Sequence, residues 1–339
     1  MQITKSPNEK SQCAASYDVT VVTVVFNAVK NGRKEMLLQA LDSVQSQRDV
    51  NVEHVVVDGA SEDGTLQLLQ DFNVTSHPLT ILSEKDSGIY EAMNKGIVLA
   101  RGKYITFLNS DDFYHNNDGL QLSFKKLEET SCSFSFAPVK VVGDVFPNNP
   151  QECPQMYLDE IIYKSVISHQ SILVNTELMR QMQGFDLSYK IAADYDFLLR
   201  MVLTGKRGCL VDCDFVTYRM IGISSTNIPF SRRETSLILK TLYNKYADAH
   251  LTDEEAYRLC VKNEFPANDL ELERRLHNLI RDSFVGISYG YAIDKFVIQK
   301  KEIKRLTLKH IRHLKIIRIG IYVIVMLCAL LLVIVTMSF

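Results

Sequence analysis

The sequence predicts an α/β fold built on a mostly parallel sheet, and three observations predict it. Val19 to Phe26 (VTVVTVVF) is an unbroken apolar, β-branched run, as expected of a strand buried on both faces. Shorter runs of the same kind recur at Val52–Val57, Leu79–Leu82 and Tyr104–Leu108, with helical spacing between them. Each of the last three runs ends in an acidic loop, at Asp58, at Asp86 and at Asp111-Asp112. Alternation of strand and helix implies a parallel sheet with helices on both faces. In open sheets of that kind ligands bind outside the carboxyl ends of the strands.

The elements follow in order. Residues 1–17 are polar and are expected to form a flexible amino terminus. Arg33 to Gln47 carries Met36, Leu37, Ala40, Leu41 and Val44 at helical intervals. After the second strand comes Asp58-Gly59-Ala60-Ser61-Glu62-Asp63-Gly64-Thr65, and a short helix should start near Thr65. The third strand ends in Glu84 to Gly88, and Ile89 to Leu99 is helical. The fourth flips from apolar Tyr104–Leu108 to Asn109-Ser110-Asp111-Asp112 within one residue, and a helical pattern resumes near Asp118. Beyond it, Phe134 to Val142 reads as one or two strands, and Ser168-His169-Gln170-Ser171 leads into an apolar Ile172-Leu173-Val174. A helix opens at Ile191, with Asp194 in its first turn or at its cap. Phe230 to Ser283 is helical and well charged.

The carboxyl terminus differs in kind. Lys295 to Arg318 holds nine Lys or Arg against the single Glu302, with apolar residues at intervals of three to five. It is expected to be a basic amphipathic juxtamembrane helix on anionic lipid. Ile319 to Phe339 is 21 residues without a charge. That is long enough, at about 1.5 Å per residue, to cross a hydrocarbon core of about 30 Å as a single transmembrane helix. Positive charge flanking a span marks its cytoplasmic side. The expected topology is therefore a single-pass carboxyl-terminal anchor with the preceding domain on the cytoplasmic side of the membrane. The expected divisions are 1–17, 18–230 (α/β domain), 231–294 (helical extension), 295–318 and 319–339.

Composition narrows the function. A net charge of −2 over 339 residues argues against nucleic-acid binding. Seven irregularly spaced cysteines, with only Cys209 and Cys213 close, offer no zinc pattern. Their odd number and the polar amino terminus fit a reducing compartment and no cleaved signal peptide. No Gly-x-Gly-x-x-Gly or Walker-type loop is present, which argues against a dinucleotide dehydrogenase or a P-loop enzyme. The paired Asp111-Asp112 suits a hard divalent cation and substrate phosphates, and equally a helix N-cap.

The order VVTVVFNA, HVVVDGASEDGT, EKDSGIYEAMNKG, ARGKYITFLNSDD, AADYDFLLR resembles the family-2 glycosyltransferases of GT-A fold. The likeness is strongest to bacterial enzymes that build O-antigen and other surface polysaccharides. It covers about Asp18 to Met220. It implies transfer of a sugar from a nucleotide-diphosphate sugar donor to an acceptor hydroxyl with inversion, the acceptor being a lipid-linked saccharide. By the same resemblance Asp58, Asp86, Asn109 and Ser110 face the nucleotide sugar. Asp111 and Asp112 hold Mn²⁺ or Mg²⁺, and Asp194 is the catalytic base. Asn109 stands where many relatives have Asp, which leaves Asp111 as the firm metal carboxylate. His169 and Gln170 would lie near the acceptor, a structural histidine being the other reading. A nucleotidyltransferase would want a Gly-rich, Arg-bearing loop after the first strand, and Phe26–Lys30 has none. A scaffold with a degenerate domain would have lost Asp111 or Asp194, and both are present.

Overall fold

The computed structural model describes residues 1–6, 17–142, 152–153, 155–222, 227–266 and 270–285. The chain divides after Ile287, so the first compact unit is Met1–Ile287. The basic segment 295–318 and the apolar run 319–339 lie outside the described residues. Among the described residues no helix is long and apolar enough to cross a membrane.

The predicted alternation is present nearly residue for residue. β2 (Val19–Val25), β3 (Val52–Asp58), β4 (Leu79–Ser83) and β5 (Tyr104–Phe107) lie parallel, and α1 (Lys34–Gln45), α2 (Thr65–Asp71) and α3 (Ile89–Leu99) connect them. All seven residues of β2 and of β3 are buried, as their uninterrupted β-branched sequences require of strands covered on both faces. Gly96 of α3 lets the helix lie close on the sheet, because a Cβ there would sit 2.4 Å from Val22 Cγ1.

Two parts depart from expectation. The amino terminus is not loose throughout, since β1 (Gln2–Lys5) runs antiparallel along the free edge of β4. Its four residues alternate exposed and half-buried, a pattern too short to register as a strand by sequence. The loosened alternation after Asp112 reflects a second, four-stranded sheet. Phe134–Val142 is two strands: β7 (Phe134–Phe136) in the main sheet and β8 (Val139–Val142) in the smaller one. The smaller sheet also contains β6 (Phe113–Tyr114), β9 (Glu152–Cys153) and β12 (Val216–Arg219).

The main sheet continues from β5 through antiparallel β10 (Leu173–Asn175) to β7, then β11 (Gly208–Leu210) and β13 (Phe284–Val285). Between these strands lie α4 (Gly119–Thr130), α5 (Thr176–Gln181) and α6 (Ala193–Leu203). The helical pattern of the extension resolves into α7 (Ile228–Tyr246), α8 (Asp253–Lys262) and α9 (Leu270–Ser283). α8 starts with a reciprocal capping box between Thr252 and Glu255. The strand after α9 enters the main sheet, so the extension shares one compact unit with that sheet.

One core side chain ties stability to pH. His54 of β3 is fully buried, with Nε2 2.9 Å from Thr23 Oγ1 and no partner for Nδ1 among the described residues. Burial, helped by the charge of His77, pushes its pKa down to about 3. The unfolded chain protonates this ring near pH 6.5 and the folded chain does not, so stability is full above pH 6.5 and falls as pH drops toward 3. The slope is about 1.4 kcal/mol per pH unit. Urea melts at pH 7.5 and 5.5 should therefore show a loss that His54→Leu lacks, by about 1 kcal/mol. Equal pH slopes in the two proteins would remove His54 as the cause.

Candidate active site

The site forms at the carboxyl ends of the parallel strands. β5 delivers Asn109 to Asp112, α3 delivers Tyr90, and a 3₁₀ turn at His169–Ser171 leads into β10. α6 begins at Ala193 with Asp194 in its first turn. Asp194 does not cap this helix. Its Oδ1 accepts the Tyr90 hydroxyl at 2.9 Å, and its Oδ2 lies 3.1 Å from His169 Nδ1. A carboxylate can only accept, so Nδ1 carries the proton.

Burial raises the Asp194 carboxyl, but the bond and charge of His169 and the Tyr90 hydroxyl outweigh it and hold it below the usual carboxylate value. Burial, then the charge of Asp194, pushes Tyr90 well above 10, which keeps its hydroxyl a donor. The far nitrogen of His169, Nε2, is 3.4 Å from Asn109 Oδ1. Asn109 Nδ2 in turn donates to Asp112 Oδ2 at 3.3 Å. A single polar chain thus runs from Tyr90 through Asp194, His169 and Asn109 to Asp112.

The two adjacent carboxylates have opposite surroundings. Asp112 is fully buried: Oδ1 accepts the Arg219 amide at 2.8 Å, and Oδ2 accepts Gln170 Nε2 at 2.7 Å. Burial and the charge of Asp111 push its carboxyl up to about 7, against the Arg219 and Gln170 hydrogen bonds. Asp111 keeps part of its side chain exposed, with Arg33 Nη1 3.7 Å from its Oδ2. The Arg219 guanidinium donates to the Asp111 carbonyl, donates to Gln39 Oε1 at 2.6 Å, and lies 4.8 Å over the Phe113 ring.

Asp112 faces inward with both oxygens engaged, and Gln170 is buried against it. The N-cap reading of the pair fails, because α4 starts only at Gly119 and its cap residue is Asp118. Ser110 is buried within the loop.

The nucleotide-facing expectations divide in the same way. Asp58 is fully buried and accepts the Ser61 amide at 3.1 Å and the Ser83 hydroxyl at 2.7 Å, so it organises the loop from beneath. Asp86 is partly exposed; burial is the main reason its carboxyl is raised, and the Gly88 amide donates to it at 3.0 Å. Gly59 leaves space between Asp86 and Phe26, since a Cβ there would lie 2.8 Å from Asp86 Oδ2 and 3.1 Å from Phe26 Cδ2. Phe26 itself is exposed.

A hard divalent cation fits the site in one way only. Among the described residues no group of three His, Cys, Asp or Glu gathers around a point. Asp111 can supply one carboxylate oxygen, which suits an ion that takes its other ligands from phosphate and water. Sequence reasoning missed Arg33, Arg219 and Tyr90. Tyr90 lies inside the segment EKDSGIYEAMNKG, where helical periodicity disguised it as a core residue.

The mostly parallel sheet, with carboxylates gathered at its strand ends, is GT-A-like in fold. Residues 20–183, a little under half of the chain, match the family model described as Glycosyl transferase family 2. A PGL/p-HBAD biosynthesis glycosyltransferase of Mycobacterium tuberculosis is 33% identical over 168 residues, 49% of this chain and 64% of the relative. The match thus spans under two thirds of that relative's length. The Staphylococcus aureus TarS 1–349 structure in complex with UDP-GlcNAc superposes with a TM-score of 0.55 at 18% identity, covering 78% of this chain and 81% of that one. The mannosyltransferase PcManGT of Pyrobaculum calidifontis, in complex with GDP-Man and Mn²⁺, gives 0.50 at 16% identity, covering 80% and 86%. At these identities the structural likeness concerns the fold.

The inward role of Asp112 is testable without substrate. Asp112→Ala strands the Arg219 amide and the Gln170 amide group in the core and should cost about 2–4 kcal/mol in metal-free urea melts. A metal ligand with no structural duty would leave metal-free stability unchanged.

Proposed function

We propose that this chain is an inverting glycosyltransferase that moves a sugar from a nucleotide-diphosphate sugar to an acceptor hydroxyl. The observation that carries the reading is the Asp194 carboxylate, kept ionised by Tyr90 and His169 and joined through Asn109 to the Asp111 loop. A sugar hydroxyl is a weak nucleophile, and an ionised carboxylate within reach can accept its proton as the new bond forms. One displacement of this kind inverts the anomeric centre and needs no covalent intermediate.

The donor's base and ribose are assigned to the gap between Phe26, Gly59 and Asp86, with Asp58 shaping its floor. Asn109 and Ser110 carry the loop past the donor sugar. Asp111 would hold Mn²⁺ or Mg²⁺, which when bound offsets the charge of the departing diphosphate. Arg33 and Arg219 add fixed positive charge on the same side. His169 orients Asp194 beside the acceptor.

The acceptor is read as a lipid-linked saccharide of surface polysaccharide synthesis, such as O-antigen or capsule. The support is the basic segment 295–318 followed by the uncharged 319–339, which would anchor the enzyme in the inner membrane with its catalytic domain in the cytoplasm. The division at 18–230, 231–294, 295–318 and 319–339 belongs to the same proposal.

A panel of sugar nucleotides, scored by nucleotide release with and without Mn²⁺, tests the reaction. Asp194→Asn should lower turnover by at least roughly 10²-fold. Tyr90→Phe removes a donor that favours the ionised carboxylate, so the Asp194 pKa rises. The acid limb of the kcat/KM profile should then move to higher pH; an unmoved limb would place the base elsewhere. Asp111→Ala should weaken nucleotide-diphosphate affinity in Mn²⁺ and leave it unchanged in EDTA. Calorimetry showing equal affinity in both buffers for the unaltered protein would end the metal assignment.

A further inference from the structure

α6 presents Asp194, and its own cap residue closes nothing. The cap residue is Ala192, which has no polar side chain. Of the two acids in the first turn, Asp194 is committed to Tyr90 and His169, and Asp196 pairs with Arg200 at 2.8 Å. The first amides of a helix have no partner within the helix and must find one elsewhere.

The amide of the cap residue, and the two before it, find theirs on another helix. Glu234 of α7 is buried, and its carboxylate receives three successive amides: Lys190 N at 2.6 Å on Oε1, then Ile191 N at 2.9 Å and Ala192 N at 3.1 Å on Oε2. A negative charge at a helix amino terminus is favoured by the helix dipole, and charge-assisted bonds are the stronger ones. α6 and α7 also share a support. The Tyr195 hydroxyl of α6 donates to the Ile161 carbonyl at 2.7 Å, and the Tyr243 hydroxyl of α7 to the Ile162 carbonyl at 2.6 Å. The two helices therefore stand on adjacent peptide groups, and the Glu234 clamp closes the triangle two residues before Asp194.

We propose that Glu234 is a positioning residue for Asp194. It fixes residues 190–192, the approach to α6, and so sets where Asp194 enters the helix and holds its carboxylate on Tyr90 and His169 in one pose. Glu234 lies outside residues 20–183, so the helical extension supplies a part of the active site that the matched segment lacks. The catalytic consequence rests on the transferase reading; the clamp does not.

The test compares the full chain with Glu234→Gln, Glu234→Asp and Lys240→Ala. Lys240, also on α7, pairs with Asp253 at 2.8 Å and serves as control for loosening α7. Hydrogen exchange of the Lys190, Ile191 and Ala192 amides and the ring nitrogen resonances of His169 are read without ligand. Turnover is read with UDP-GlcNAc and GDP-mannose. Glu234→Gln puts an NH₂ against amide donors, so exchange at 190–192 should quicken by about tenfold or more and the His169 resonances should shift. Its kcat should fall by about 10- to 100-fold, as for a displaced catalytic group, with donor KM within about twofold. Glu234→Asp should recover part of kcat, and Lys240→Ala should change none of these.

Unchanged exchange at 190–192 in Glu234→Gln overturns the proposal. So does an unchanged kcat, or a kcat loss matched by donor KM and by faster exchange throughout the chain. If the unaltered protein turns over neither donor, quickened exchange with a shifted His169 sustains the clamp and places the failure on the transferase reading.

Discussion

Two carboxylates follow one another at the end of a buried strand, and only one of them can face outward. That constraint shapes the rest of the site. Asp112 goes inward, where an ionised carboxylate is tolerable only if donors surround it. The Arg219 amide, Gln170 and Asn109 provide them, each from a different segment. Asp111, with 11% of its side chain exposed, is left beside Arg33. The partners that satisfy Asp112 also tie β12 and the His169–Ser171 turn to the loop after β5, so one buried carboxyl group joins three segments.

The same polar chain carries that order to Asp194. His169 follows Ser168 and precedes Gln170 in one tight turn, so fastening Gln170 to Asp112 places the neighbouring imidazole between Asn109 and Asp194. Tyr90 holds the other carboxylate oxygen from α3. Fully satisfied buried networks of this kind are rigid, and partly satisfied ones are costly. A side chain needed in one geometry benefits from that rigidity. The helical extension joins the arrangement from outside the matched segment, through Glu234 and through the two buried tyrosines that seat α6 and α7 on Ile161 and Ile162.

The sequence by itself determined the parallel core. Strands buried on both faces must be apolar throughout, and helices between them must show one apolar face, so both leave periodic marks that need no knowledge of contacts. Five short segments in a fixed order, which carry the family resemblance, also nominated Asp194, Asp111 and His169. What only the tertiary structure decided was direction and partnership. Asp111 and Asp112, or Asp58 and Asp86, look alike in sequence, yet hydrogen bonds engage both oxygens of Asp112 and burial encloses Asp58 while Asp86 stays partly exposed. Tyr90, Arg219 and Glu234 lie 104, 25 and 40 positions from Asp194, and no local pattern marks a residue whose role begins only when distant segments meet. The edge strand Gln2–Lys5 escaped for a related reason: its pairing energy comes from β4, not from its own four residues.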